Sequence, residues 1–228
     1  MPARLDAYRR EEAAAGNADV ALTQIMNRRI LPAGKILFFA EGRKTMIPKA
    51  QIMDEAAIRR ALARIAHEII ERNQGVETVC LFGVKRKGVP LTRLLCENIR
   101  KFGEAEVPCG ELDVTFHRDD LTDEARKANA GQSYIPCDIR NKTVILVDDV
   151  LSTGRTARAA IETVFSCGRP RAVQFVALVD RGHRELPLRP DYVGKNVPTA
   201  QNEVIWVQMN EEGEPSGVYI CDRQETKE

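Results

Sequence analysis

Very little net charge is present: 34 Lys and Arg stand against 33 Asp and Glu, leaving +1 over 228 residues. No global positive field would hold a nucleic acid, so any RNA contact must come from a local basic face. No segment approaches the roughly 18 consecutive apolar residues of a membrane span, and Leu5 to Leu22 is broken by charges where a signal-peptide core would be continuous. The six cysteines, Cys80, Cys96, Cys109, Cys137, Cys167 and Cys221, form no C-x-x-C pair. With no export signal, they read as reduced cytosolic thiols, several of them buried, and nothing has zinc-ligand spacing. His67-Glu68-Ile69-Ile70-Glu71 lacks the second histidine of the H-E-x-x-H metallohydrolase motif. A Walker A loop and G-x-G-x-x-G are both missing, which removes the support for nucleoside triphosphate or dinucleotide binding. The expectation is a cytoplasmic protein with no membrane partner.

What is there is a 43% apolar composition, enough for one α/β domain plus an appendage. The most informative stretch is residues 144–156, Val-Ile-Leu-Val-Asp-Asp-Val-Leu-Ser-Thr-Gly-Arg-Thr. Four apolar, β-prone residues run into the carboxylates Asp148 and Asp149. A turn of Ser152, Thr153, Gly154, Arg155 and Thr156 follows, then a helical pattern over residues 157–167. A buried strand feeding a Gly/Thr-rich loop onto a helix N-terminus makes a socket for a phosphate monoester, because backbone N–H groups converge there and the helix dipole adds positive character. Two carboxylates just before the socket would bind a polyol or a metal ion and repel a second phosphate. One sugar phosphate satisfies both features.

Elsewhere, Asp54 is placed to cap a helix whose first turn carries Glu55 and whose end is marked by Gly75. Ile58, Leu62, Ile65 and Ile69 line one face of it, and Arg60, Arg64 and His67 a second. The pattern then predicts a strand over 78–83, a basic loop over 84–88, a helix over 91–102 and a strand over 111–116. Residues 117–140 read as a flexible arm. The signature strand and helix come next, then a strand over 173–179 and two short strands, 204–207 and 218–221. Alternating strands and helices argue for a largely parallel sheet covered on both faces, with its site beyond the carboxyl ends of the strands.

Residues 144–156 closely resemble the signature of type I phosphoribosyltransferases, which bind 5-phosphoribosyl-1-diphosphate. The first helix, residues 110–121, and the run 179–187 followed by 191–198 resemble one branch of that family, the bifunctional pyrimidine operon attenuation regulator/uracil phosphoribosyltransferases. The resemblance covers roughly residues 46–222 and implies the type I fold: a mostly parallel twisted sheet flanked by helices, with a flexible arm and a small hood. It implies transfer of ribose 5-phosphate from diphosphate to uracil, giving UMP. Thr153, Gly154, Arg155 and Thr156 would hold the 5′-phosphate, and Asp148 and Asp149 the ribose hydroxyls. Lys85, Arg86, Lys87 and Gly88 would face the diphosphate, whose Mg2+ would be held mostly by substrate oxygens and water rather than by protein side chains alone. Arg118, at the start of the arm, would touch the leaving group. Backbone groups around Val179, Asp180 and Arg181, in a hood spanning 180–199, would read the base.

The second activity that the resemblance implies is UMP-dependent binding of a pyrimidine-operon mRNA hairpin through Arg64, His67, His183, Arg184, Arg189 and Lys195, in a homo-oligomer. The chain departs from the family at several points. Arg86-Lys87 stands where Thr-Arg is usual, Ala63 where a threonine hydroxyl is usual, and Ser152 where a larger, often aromatic, residue is usual. A regulator with little catalysis and a transferase for a purine base or orotate are the competing readings; the Asp180-to-Pro187 stretch argues against the latter. Residues 1–45 have no counterpart in the resemblance. They are expected to be mostly poorly ordered, with residues 46–228 forming the transferase domain and translation starting at Met46 or Met26. An intact mass of the native protein equal to that of all 228 residues would overturn this expectation about the start.

Overall fold

The computed structural model describes residues 28–30, 36–40, 44–119 and 131–223. Ten strands and three α-helices are assigned among them, and the strands form two sheets. One five-stranded sheet is wholly parallel, in the order β5 (Cys109–Leu112), β4 (Val79–Val84), β6 (Thr143–Leu151), β7 (Ala172–Asp180), β8 (Tyr192–Asn196). From β4 the chain passes to β5 on one side and then to β6 on the other. The strand order therefore reverses between β4 and β6, and a crevice opens at their carboxyl ends.

Strand alternation explains the two cores. Val79, Leu81, Ile145, Val147, Val176 and Leu178 point to one face, where they bury α1 (Glu55–Arg72) and α2 (Gly88–Gly103). Cys80, Phe82, Val144, Leu146, Phe175 and Ala177 point to the other and bury α3 (Arg155–Cys167) through Ala157, Ala160 and Val164. Each fully buried Leu, Ile or Val contributes about 1.5–3 kcal/mol of hydrophobic stabilisation. α1 begins as the sequence predicts: the Asp54 carboxylate accepts from the Ala57 N–H at 2.7 Å, a cap worth about 1 kcal/mol.

The second sheet is antiparallel, in the order β1 (Arg28–Ile30), β2 (Ile36–Ala40), β3 (Lys44–Asp54), β10 (Pro215–Arg223), β9 (Glu203–Met209). Val207 and Val218 turn inward with Met53 against α1. Val204, Trp206, Tyr219 and Cys221 cluster on the opposite face.

Several expectations change. Helix α2 starts at Gly88 rather than residue 91, since Pro90 has no N–H to lose in a first turn. The strand expected over 111–116 ends at Leu112 and gives way to a 3-10 turn at Thr115–His117. The Asp113 carboxylate causes this by accepting from the N–H groups of Thr115 (2.9 Å) and Gly131 (3.0 Å). Much of the predicted arm, including Asp120, lies outside the described residues; its returning end pairs as a single bridge, Glu111 with Tyr134. Residues 192–196, expected in the hood, form the edge strand of the main sheet. The second sheet instead draws on both ends of the chain, and β1 and β2 of the N-terminal extension extend it; the remainder of residues 1–43 lies outside the described residues.

Candidate active site

Strand β6 carries Asp148 and Asp149 to the open edge before releasing the chain at Leu151. Asp148 is buried, and its Oδ1 accepts from the Asp149 N–H at 2.9 Å. Asp149 is half-buried, and its Oδ1 accepts from the Val150 N–H at 2.9 Å. Burial first, and the neighbouring Asp149 charge second, push the Asp148 carboxyl well above the usual carboxylate range. The Asp149 N–H and the Lys87 charge pull the other way.

The loop that follows opens into α3 through Gly154, whose φ of 93° lies in the left-handed region that favours glycine. Helix α3 starts at Arg155, whose N–H donates to Thr153 Oγ1 at 3.3 Å, and the N–H groups of a first helical turn have no partner within their own helix. A cleft of about 190 Å³ is lined by Thr153, Arg155 and Thr156 together with Arg118 and Asp119. The structure therefore brings the expected phosphate loop and the expected leaving-group arginine to one cavity. The Arg155 guanidinium donates to Asp119 (2.7 Å), which lines the same cleft, and to Glu185 (2.6 Å).

On the other side of the switch point, residues 85–87 leave β4 and enter α2. The Lys85–Arg86 peptide is cis. Gly88 meets the strand so closely that an added Cβ would overlap the Val147 carbonyl oxygen. That approach sets Lys87 beside the carboxylates, with its Nζ 3.7 Å from Asp149 Oδ2. The same Nζ lies 3.8 Å from the centre of the Trp206 ring, which arrives from the second sheet. Lys85 donates to the Gln132 carbonyl at 2.9 Å and so ties this loop to the returning arm.

The residues expected to read the base divide. Val179 is buried between its β6 and β8 neighbours Val150 and Lys195. The Asp180 carboxylate accepts from the Gly182 N–H at 3.0 Å and from Arg184 at 2.5 Å. These two side chains brace the loop from within, and of the three only Arg181 reaches outward, to Thr199 Oγ1 at 3.1 Å.

The residues expected on an RNA face are also dispersed. Arg184 is turned inward, donating to the carbonyls of Ser152 (2.7 Å), Gly182 (3.2 Å) and Leu188 (2.8 Å) as well as to Asp180. Its donors are spent inside the protein, which corrects the expectation of an outward cation. Arg64 clamps the carbonyls of Val193 (2.8 Å) and Gly194 (3.0 Å) on β8, and Lys195 on the same strand donates to the Ile52 carbonyl at 2.9 Å. His67 is exposed on α1 and stacks on Phe102, with centroids 4.1 Å apart. His183, at a φ of 61°, has its Nε2 2.7 Å from the Thr199 carbonyl oxygen, and Arg189 is exposed. Arg64 and Lys195 are thus brought together along β8, while His183 sits at the carboxyl edge beside the phosphate loop.

Sequence reasoning missed Asp113 and Trp206. Asp113 stood within a predicted strand, and its role depends on where Gly131 returns. Trp206, the single tryptophan, was visible only as an apolar residue in a short strand.

A crevice of this kind at a doubly wound switch point, with paired carboxylates between a phosphate loop and a cationic loop, defines a sugar-phosphate-handling transferase. The phosphoribosyl transferase domain family matches residues 49–212. The "Bifunctional protein PyrR" of Brevibacillus brevis is 58% identical over 166 residues, covering 73% of this chain and 93% of that protein. The protein of the same name from Thermoanaerobacter sp. is 50% identical over 175 residues, covering 77% and 98% respectively. The chain belongs to the phosphoribosyl transferase family and, within it, to the PyrR group. Among solved structures, a hypoxanthine phosphoribosyltransferase of Trypanosoma cruzi matches with a TM-score of 0.56 at 19% identity, over 78% of this chain and 98% of that one. Its counterpart from Staphylococcus aureus matches with a TM-score of 0.55 at 19% identity, over 78% and 92%. These two likenesses support the fold alone.

The raised Asp148 carboxyl has a consequence for stability. The folded state holds that proton more tightly than the unfolded chain, so stability falls as pH rises from the unfolded value, about 3.9, through the raised folded one, and is flat beyond it. Asp148→Asn removes this cost. The variant should melt higher than wild type near neutral pH, by about 2–4 °C for each kcal/mol recovered, and the difference should vanish as pH falls below the unfolded value. Thermal melts across pH check this, and a difference that does not grow with pH would refute it.

Proposed function

We propose that the protein transfers ribose 5-phosphate from 5-phosphoribosyl-1-diphosphate to uracil, forming UMP and diphosphate, and that it binds pyrimidine-operon mRNA when UMP is present. What supports the catalytic half is that Asp149 lies beside Lys87 at the carboxyl end of β6, a few residues before the loop whose Thr153 and Thr156 line a cleft with Arg118. The N–H groups at the start of α3 and the Thr153 and Thr156 hydroxyls hold the 5′-phosphate. Asp148 and Asp149 accept from the ribose 2′- and 3′-hydroxyls. As the bond from ribose C1 to the diphosphate oxygen breaks, positive charge grows on the sugar and Asp149 is placed to offset it. Uracil N1 then bonds to C1 as its proton passes to the departing diphosphate or to water, which balances atoms and charge. Arg118 and Lys87 draw the charge on the leaving diphosphate.

The donor set fits Mg2+ arriving with substrate. Two adjacent carboxylates flank the crevice, and no group of three His, Cys, Asp or Glu side chains converges among the described residues. The ion's ligands would then come mainly from substrate oxygens and water, and when bound it supplies further neutralisation of the diphosphate.

For the RNA half, the support is the name and 50–58% identity of the relatives, together with the exposed His67 on α1. UMP in the phosphate loop bears on the His183 segment, since the N–H groups of Glu185 and Leu186 donate to the Thr153 carbonyl at 3.0 and 3.1 Å. A ligand that stabilises one arrangement of that segment shifts its population and any surface built on it.

UMP formation from uracil, phosphoribosyl diphosphate and Mg2+, with hypoxanthine and orotate as controls, tests the reading; turnover only with a control base would replace uracil as the substrate. Asp149→Asn should lower UMP synthesis at least about tenfold, equivalent to 1.4 kcal/mol of transition-state stabilisation, and near-normal turnover in a folded variant would remove its role. His67→Ala should spare catalysis and weaken UMP-dependent RNA binding by about fivefold or more if the ring stacks on a base. Unchanged RNA affinity in a binding titration would take α1 out of the RNA face.

A further inference from the structure

Lys87 is held by more than its carboxylate. It precedes the first residue of α2, makes no side-chain cap there, and extends its side chain toward the second sheet. Its ammonium lies 3.7 Å from the Asp149 carboxylate and 3.8 Å from the centre of the Trp206 ring. The indole stands on β9, in register with Tyr219 on β10, and packs with Val204, Tyr219 and Cys221. Trp206 is thus a braced aromatic face presented to a flexible cation at the edge of the crevice.

Resting on the transferase reading above, we propose that Trp206 is a positioning residue for the diphosphate: it holds the Lys87 ammonium at the crevice mouth by a cation–π contact. The need for it follows from the chemistry of lysine. A guanidinium at this position would be aligned by its own planar fork, whereas an ammonium on four rotatable bonds has no such preorganisation and carries a large rotamer entropy. A facing carboxylate alone would draw the ammonium onto Asp149, which the ribose hydroxyl requires. The ring offers the cation a second attraction, through its quadrupole and without a competing negative charge. When substrate arrives, the ribose takes Asp149 and the diphosphate takes an ammonium already at the mouth. Trp206 therefore acts on substrate binding more than on the chemical step.

Because Trp206 is the only tryptophan in the chain, its emission reports the contact directly. In the full-length wild type, inorganic diphosphate with Mg2+ should change that emission saturably. Lys87→Met should alter the emission of the free protein and abolish the response. In steady-state kinetics, Trp206→Leu should raise KM for phosphoribosyl diphosphate about five- to tenfold while kcat stays within about twofold, and Trp206→Phe should recover most of the loss. A purely structural role would lower kcat and the melting temperature together and give no rescue. The assignment is overturned if wild type and Lys87→Met share the same emission and the same response, or if Trp206→Leu leaves KM unchanged in a folded enzyme. The emission measurement uses diphosphate alone, so it decides the Lys87–Trp206 contact whether or not uracil is turned over; failure of turnover with every base would refute the transferase reading separately.

Discussion

The site depends on one close approach, that of the Gly88 backbone to the Val147–Asp148 backbone of the central strand. A side chain at 88 would overlap the Val147 carbonyl oxygen, so only glycine lets α2 begin this near to β6. Because α2 begins there, Lys87 at the end of the cationic loop lies beside the carboxylates, its Nζ 3.7 Å from Asp149 Oδ2. The approach in turn requires that β4 and β6 be neighbours, which the order of the parallel sheet provides, and that both be buried on both faces, which their unbroken apolar runs provide. The two strands are packed into two separate cores, one on each face of the sheet.

Within that frame the charges of the site are already paired. Lys87 faces Asp149, Arg155 faces Asp119 and Glu185, and Arg158 faces Asp119 at 3.4 Å. Under the proposed function, an anionic sugar phosphate entering here would exchange partners with these ion pairs. Asp148 is the exception: it is buried beside a like charge, and its ionisation is opposed by its surroundings. A ligand hydroxyl donating to it would relieve part of that opposition, so stability given up in the folded protein is available to substrate.

Arg184 and Asp180 link this centre to the rest of the molecule. Their ion pair, with the bonds of Arg184 to the Ser152, Gly182 and Leu188 carbonyls, makes the segment after β7 and the phosphate loop a single unit. The Arg64 bonds to Val193 and Gly194 do the same for α1 and the edge strand β8. Residues with the appearance of a free basic stripe in the sequence thus serve in part as internal fasteners, because a guanidinium carries five donors and can satisfy several carbonyls at once.

Local chemistry determined much of this protein from the sequence alone. The apolar run of residues 144–147, the Asp54 cap, the glycine at 154 and the carboxylate pair each act through neighbours a few residues away, so they were legible without coordinates. The parallel sheet followed from alternation of strands and helices, and the phosphate loop from its place between a strand and a helix. Tertiary structure alone decided the use of Asp113, the edge position of β8, and the assembly of the second sheet from both ends of the chain. It also decided which arginines turn inward and the meeting of Lys87 with Trp206, 119 residues apart in the chain. These features rest on long-range pairing and on where a flexible side chain finds its partner, and neither leaves a periodic trace in the sequence.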